Sequence, residues 1–333
     1  MCLNEKCNVW LSLDSIGIPY SGCLRESSWI NNINLSSNQS ILNPYIYIDL
    51  PTEKLVCIKN VAHGKFGYID VAKYDNGKSQ DVYVKRPIIS GNSLMYEACI
   101  QKLVGDSLCR IGFPTGAPKV LSIFRLKDNS ICFAMEQINN SITLDKYLES
   151  LAIVQFSNVI IDCLLQLSAM IWHLDTNLGI NHRDLKPSNF LIVEHEKSRK
   201  IINIESDILE IESRHSLTFI DFGFSCIGST ETHICDISLS TVYSKSDPCP
   251  KNGRDMYLFL AFLYIDYYNK LPSKLISLFE SWLSIPETNI CKFMRKDKEN
   301  SKKWIYFMTG TEKIKQFNSC PSKIIKDLQA YLV

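Results

Sequence analysis

The run Asn181-His182-Arg183-Asp184-Leu185-Lys186-Pro187-Ser188-Asn189-Phe190-Leu191-Ile192 places an amine two residues and an amide five residues beyond a carboxylate. On a loop, that spacing lets Asp184 accept the proton of a substrate hydroxyl, lets Lys186 meet a transferring phosphoryl group and lets Asn189 ligate a metal ion. A second carboxylate, Asp221 in Phe219-Ile220-Asp221-Phe222-Gly223, stands at the end of an apolar strand pattern. It suits Mg2+ bridging phosphate oxygens, since that ion takes oxygen ligands.

Two more signals lie upstream. Lys85 ends the strand pattern Val82-Tyr83-Val84-Lys85, and Glu97 follows twelve residues later on a helix pattern. A lysine that holds a polyphosphate needs a fixed carboxylate partner to place its flexible stem. Between two strand patterns, residues 61–69 carry Gly64 and Gly67, which permit close backbone approach and can present N–H groups to phosphate oxygens. Each signal has an ordinary alternative: a turn, a surface ion pair, an Asp-Phe-Gly bend. Their occurrence together and in this order is what is specific.

The elements around these residues follow from periodicity and turn chemistry. Residues 55–61, 68–74 and 81–85 read as strands, the last two separated by the turn signal Asp75-Asn76-Gly77. Residues 92–104 carry helical spacing, and 119–124 and 131–137 read as further strands, hinged by Lys127-Asp128-Asn129. After a composition shift near Asn139 the chain is helix-rich, with helices predicted over 143–150, 157–177 and 255–268. The charged stretch 193–216 reads as a hairpin or surface loop. Residues 27–40 are rich in Ser and Asn without period, so 1–54 reads as an irregular extension. The segment 295–315 is Lys-rich with Trp304, Tyr306 and Phe307 interleaved, and reads as a solvated helix face rather than a binding patch.

Composition bounds the rest. At 333 residues, with 46% hydrophobic and 21% charged residues, the chain is long enough for two packed lobes and is not a disordered protein. Lys+Arg number 36 against 35 Asp+Glu, so no general footprint for nucleic acid or an anionic membrane exists. The thirteen cysteines include no Cys-x-x-Cys pair, which predicts a reducing compartment and no disulfide framework. The start of the chain has an acidic residue and no long apolar run, unlike a secretory signal. The apolar windows 151–174 and 256–268 read as buried helices. Cys226, His233, Cys235 and Cys249 cluster in sequence but match no familiar zinc spacing.

Taken together, the motifs resemble those of the eukaryotic-type protein kinase family over residues 55–268. The resemblance implies an α+β, two-lobed fold: a small antiparallel sheet with one helix over 55–138 and a larger, mainly helical lobe over 139–333, with 193–216 as a charged insertion. It implies transfer of the γ-phosphoryl of ATP, with Mg2+, to Ser or Thr hydroxyls of a protein substrate. By the same resemblance Lys85, Asp184 and Lys186 are catalytic, and Asn189 and Asp221 hold metal. Gly64, Gly67 and Ile69 of the flap, Lys85 with its partner Glu97, the hinge residues Glu136 and Ile138 with Gln137 between them, and Leu191 under the adenine would bind the nucleotide. Met135 resembles the residue gating the pocket, and Asp255 the buried helix carboxylate that steadies the catalytic loop. Lys186 after His-Arg-Asp-Leu is similar to the serine/threonine class.

The chain departs from the family's pattern at several points. Ala62 replaces the first flap glycine, Tyr83 stands on the face of Lys85 where Ala is usual, and Gln101 is polar where an apolar contact is usual. No Ala-Pro-Glu occurs between Gly223 and Asp255, although that segment holds Ser229, Thr230, Thr232, Ser238, Ser240, Thr241 and Tyr243, any of which could carry a phosphate facing Arg183. Two alternatives therefore stand beside the protein kinase: a pseudokinase scaffold, and a small-molecule kinase of the aminoglycoside or choline type. The divergent pattern is similar to kinases carried by large DNA viruses, which implies an intracellular site of action, the host cytoplasm.

Overall fold

Alternation along one strand shows how the first half is built. Val82 and Val84 are buried in a cluster with Ala72, Tyr74, Phe124, Leu126, Cys132 and Ala134, whereas Tyr83 and Lys85 take the opposite face. A computed structural model describes residues 39–42, 45–49, 54–63, 67–75, 79–126, 128–204, 207–227, 237–238, 249–285, 289–310, 314 and 317–332. It is a mixed α+β structure with antiparallel sheets. The described residues divide into two compact units, one reaching to Asp106 and including Ala117–Asn139, the other comprising Ser107–Gly116 and the chain from Asn140 onward.

The first unit holds seven antiparallel strands: β1 (Gln39–Leu42), β2 (Tyr45–Asp49), β3 (Lys54–His63), β4 (Gly67–Asp75), β5 (Ser79–Pro87), β6 (Val120–Arg125) and β7 (Ile131–Glu136). Their order across the sheet is β1-β2-β3-β4-β5-β7-β6. Helix α1 (Met95–Arg110) lays Ala98 against Phe133 on one face, with Leu94, Val120, Ile123 and Met135 around them.

Two predictions are corrected here. Part of the supposedly irregular extension is strand: Tyr47, Ile48 and Asp49 of β2 pair with Val56, Leu55 and Lys54 of β3, as the aromatic and β-branched run Tyr-Ile-Tyr-Ile favours. Helix α1 also runs six residues beyond the predicted stop at Val104, passing through Gly105, where a Cβ would stand 3.5 Å from the Ala117 carbonyl oxygen.

The second unit carries one long hairpin, several two-residue strands and most of the helices. Its elements are β8 (Ile142–Thr143), α2 (Leu144–Ser150), α3 (Ile153–His173), β9 (Ile180–Asn181), β10 (Phe190–Ile204), β11 (Asp207–Phe219), β12 (Cys226–Ile227), β13 (Ile237–Ser238), α4 (Arg254–Tyr267), α5 (Ser273–Leu283), α6 (Ile290–Lys296), α7 (Lys298–Gly310) and α8 (Pro321–Leu332). The charged stretch is drawn into the long β10/β11 hairpin, whose base pairs Phe190 with Phe219.

Helix α3 is held by Phe156, Ile160, Leu164, Leu167 and Ile171, buried at helical spacing. Its length and apolarity would suffice to cross a bilayer, but 61% of that window is buried inside the protein. A π-helical turn (Leu174–Leu178) extends it, and Gly179 ends it at a φ of 64°, a conformation that favours glycine. Buried Gln166 is satisfied by Asp162 and Ser213, each at 2.9 Å.

Cys226 and Cys249 form a disulfide, where the sequence predicted no disulfide framework. The topology brings them together. Cys226 pairs with Asn181 in the β12/β9 ladder, and the Asn181 side-chain oxygen accepts the Lys251 amide at 2.6 Å, so both chain ends arrive at the same short strand.

Candidate active site

The loop after β9 is fixed through its backbone. Asp255, buried in the first turn of α4, accepts the amides of His182 (2.6 Å) and Arg183 (2.9 Å). Arg183 takes a φ of 67°, uncommon for a residue with a side chain, and the two bonds hold the chain in that turn. Burial pushes the Asp255 carboxyl upward, and His182 with the two amides pulls it back. Asp175 beside it is pushed well up, by burial first and by the Asp255 charge second. Arg183 itself is fully buried.

The same loop is tied to the strand end that carries Asp221. His182 Nε2 lies 3.1 Å from the Ile220 carbonyl oxygen, its ring packs 5.0 Å from Phe222, and the Ile220 amide donates to the Asn189 carbonyl at 3.0 Å. Asp221 follows at a φ of 66°.

Three of the residues singled out in the sequence meet on one carboxylate. Asp184, only 4% exposed, accepts Lys186 Nζ at 2.9 Å and 3.1 Å on its two oxygens. Asn189 Nδ2 donates at 2.8 Å both to Asp184 Oδ2 and to the Asp184 backbone carbonyl. A fourth contact was not legible in the sequence: the Tyr306 hydroxyl, from α7, donates to Asp184 Oδ1. The 295–315 segment is thus not simply a solvated face. Ile305 and Thr309 are buried, Tyr306 turns toward the loop with its ring 5.7 Å from Phe262, and Phe307, 72% exposed, faces out. The interleaved aromatics were the available signal, but nothing in their spacing names Asp184.

In the first unit, Lys85 and Glu97 form an ion pair buried to 7% and 2% exposure. Ile69 and Phe133 stand opposite Lys85 in the neighbouring strands. Gly67 has a packing reason of its own, since a Cβ there would meet the Arg86 carbonyl oxygen at 2.6 Å and the Lys85 stem at 3.3 Å. Gly64 lies outside the described residues. Tyr83 pairs with Met135, and its hydroxyl accepts Gln137 Nε2 at 3.3 Å. Gln101 is buried on the Glu97 side of α1 and is satisfied there, donating to the Pro118 carbonyl at 2.8 Å with Met135 Sδ at 3.4 Å. Glu136 accepts the Lys119 amide on Oε1 at 2.8 Å, and Ile138 is half-buried. In the second unit, half-buried Leu191 pairs with Thr143 and Thr218.

The structure therefore joins Lys85 with Glu97, and separately Asp184 with Lys186 and Asn189. Asn189 spends its amide N–H groups on Asp184 and keeps its side-chain carbonyl oxygen, a donor of the kind Mg2+ takes. Among the described residues no group of three or more His, Cys, Asp or Glu side chains could hold a metal. Of the cysteine-rich cluster, His233 and Cys235 lie outside the described residues and the other two are the disulfide. Ser229, Thr230, Thr232, Ser240, Thr241 and Tyr243 also lie outside them. No model of a known protein family matches the chain, and no curated protein matches it significantly.

Proposed function

We propose that the chain is an ATP-dependent protein kinase that transfers the γ-phosphoryl group to Ser or Thr hydroxyls, with the first unit as the smaller lobe and the second as the larger lobe of a kinase-like fold. The observation that carries this reading is the Asp184 carboxylate, buried on a backbone-pinned loop and gripped by Lys186 and Asn189. A base placed in this way can orient an acceptor hydroxyl and take its proton in the transition state. Lys186 stands ready to offset charge developing on the transferred group.

In this reading Lys85, held by Glu97, orients the phosphates of ATP. Asn189 and Asp221 would hold a divalent cation, which neutralises phosphate charge when bound. Most of the acceleration then comes from positioning and preorganised charge rather than from covalent chemistry.

The test is label transfer from γ-labelled ATP, offered generic proteins in one arm and small alcohols in the other, with Lys85→Met beside the wild type. Label on protein Ser and Thr that is lost in Lys85→Met supports the reading. Label on small alcohols alone would replace it with a small-molecule kinase, and Mg·ATP that neither transfers nor raises the melting temperature would leave a scaffold.

A further inference from the structure

An ionised carboxylate offers about four lone-pair positions. At Asp184, contacts from Lys186 to both oxygens and from Asn189 to Oδ2 account for three, all from the loop's own motif. The fourth contact comes from a hydroxyl 122 residues away, that of Tyr306 on Oδ1. A general base must lie within hydrogen-bond reach of the hydroxyl it activates, and Tyr306 meets that requirement.

The phenol is not there by side-chain drift, because α7 is anchored along its length. Ile305 and Thr309 are buried, and Lys302 pairs with Asp266 of α4 at 2.7 Å. Buried Lys251 donates to the Thr309 carbonyl at 2.9 Å, and the Tyr306 ring lies edge-on to Phe262. These contacts aim the hydroxyl at Asp184.

We propose that Tyr306 is a modification site of this chain, the acceptor of an intramolecular phosphoryl transfer served by Asp184. The proposal rests on the kinase reading. In the step, the bond between the γ-phosphorus and its bridging oxygen breaks in a bound nucleoside triphosphate. A bond forms from Tyr306 Oη to that phosphorus, the phenolic proton passes to Asp184 Oδ1, and the nucleoside diphosphate leaves. A phenol serves here despite a site suited to aliphatic hydroxyls, because well-oriented intramolecular reactants reach effective concentrations of about 10⁵–10⁸ M. While unmodified, Tyr306 also occupies the position that an outside hydroxyl must take, so it competes with external substrate.

The experiment incubates the purified full chain with Mg·ATP over a range of protein concentrations and maps phosphate by mass spectrometry, with Asp184→Asn and Tyr306→Phe run in parallel. The expected result is phosphate on Tyr306, formed at a rate independent of protein concentration and absent from Asp184→Asn. Tyr306→Phe should transfer to an external protein several-fold faster than the wild type. Phosphate on other hydroxyls or on external protein with Tyr306 bare overturns the inference and leaves the kinase reading standing, as does labelling of Tyr306 in proportion to protein concentration. Absence of all transfer from every protein overturns both. The mapping is done on the wild type, so the outcome does not depend on whether Tyr306→Phe folds.

Discussion

Asp255 holds Arg183 through the main chain: the carboxylate accepts the Arg183 amide at 2.9 Å, where the residue sits at a φ of 67°. With the His182 amide on its other oxygen, Asp255 fixes the backbone that leads into Asp184. In Asp255→Asn one acceptor becomes a donor facing an N–H. We expect unfolding in urea to show a loss of about 1–3 kcal/mol, and kcat to fall by roughly 10–100-fold with little change in KM for ATP. Unchanged kcat would mean that the loop holds its form without this carboxylate.

Lys85 and Glu97 stabilise one another away from water. Removing the ammonium in Lys85→Met takes the Lys85 charge away from buried Glu97, at a cost of about 3–5 kcal/mol. The double variant Lys85→Met/Glu97→Leu should recover most of that stability while remaining inactive. A cycle in which the two losses simply add would show that the pair is not coupled.

Tyr83 shares the sheet face of Lys85 and is tied by its hydroxyl to Gln137. On the proposed kinase reading, Tyr83→Ala is expected to lower KM for ATP several-fold and to admit analogues enlarged on the adenine. Isothermal titration of wild type and variant with ATP decides this, and weaker binding by the variant would show the ring to be a contact instead of an obstruction.

His173 gives a pH dependence. Lying 2.7 Å from Ser107 Oγ and 2.8 Å from Asn177 Nδ2, it has its pKa pushed down to about 4 by burial and then by Arg110. The unfolded chain binds this proton near pH 6.5 and the folded chain only near 4. The folded state therefore keeps its full stability above 6.5 and loses it as pH falls toward 4, by up to roughly 3 kcal/mol. Denaturant midpoints at pH 7.5 and 4.5 should differ less in His173→Gln than in the wild type. Equal differences would assign the acid loss to other groups.

Much of this was readable from local pattern. The alternation of Val82 and Val84 with Tyr83 and Lys85 located β5 and its two faces, and the one-in-four spacing of Phe156, Ile160 and Leu164 located α3. The pairing of Asp184 with Lys186 and Asn189 lies within six residues, so the spacing held its geometry. What escaped was set by tertiary topology. Tyr306 reaches Asp184 through the packing of α7 on α4, and Cys226 meets Cys249 because two chain ends return to β9. The strands at 39–42 and 45–49 escaped for a different reason: the Ser/Asn-rich stretch runs into the first, and it masked the short aromatic alternation of the second.

The most direct measurement is the rate of phosphoryl transfer to protein Ser and Thr by Asp184→Ala beside the wild type, with thermal unfolding recorded for both. Positioned general-base catalysis predicts a fall of about 10²–10⁴-fold in a variant that still folds and still gains stability from Mg·ATP. A folded Asp184→Ala protein that transfers phosphate as fast as the wild type would contradict it.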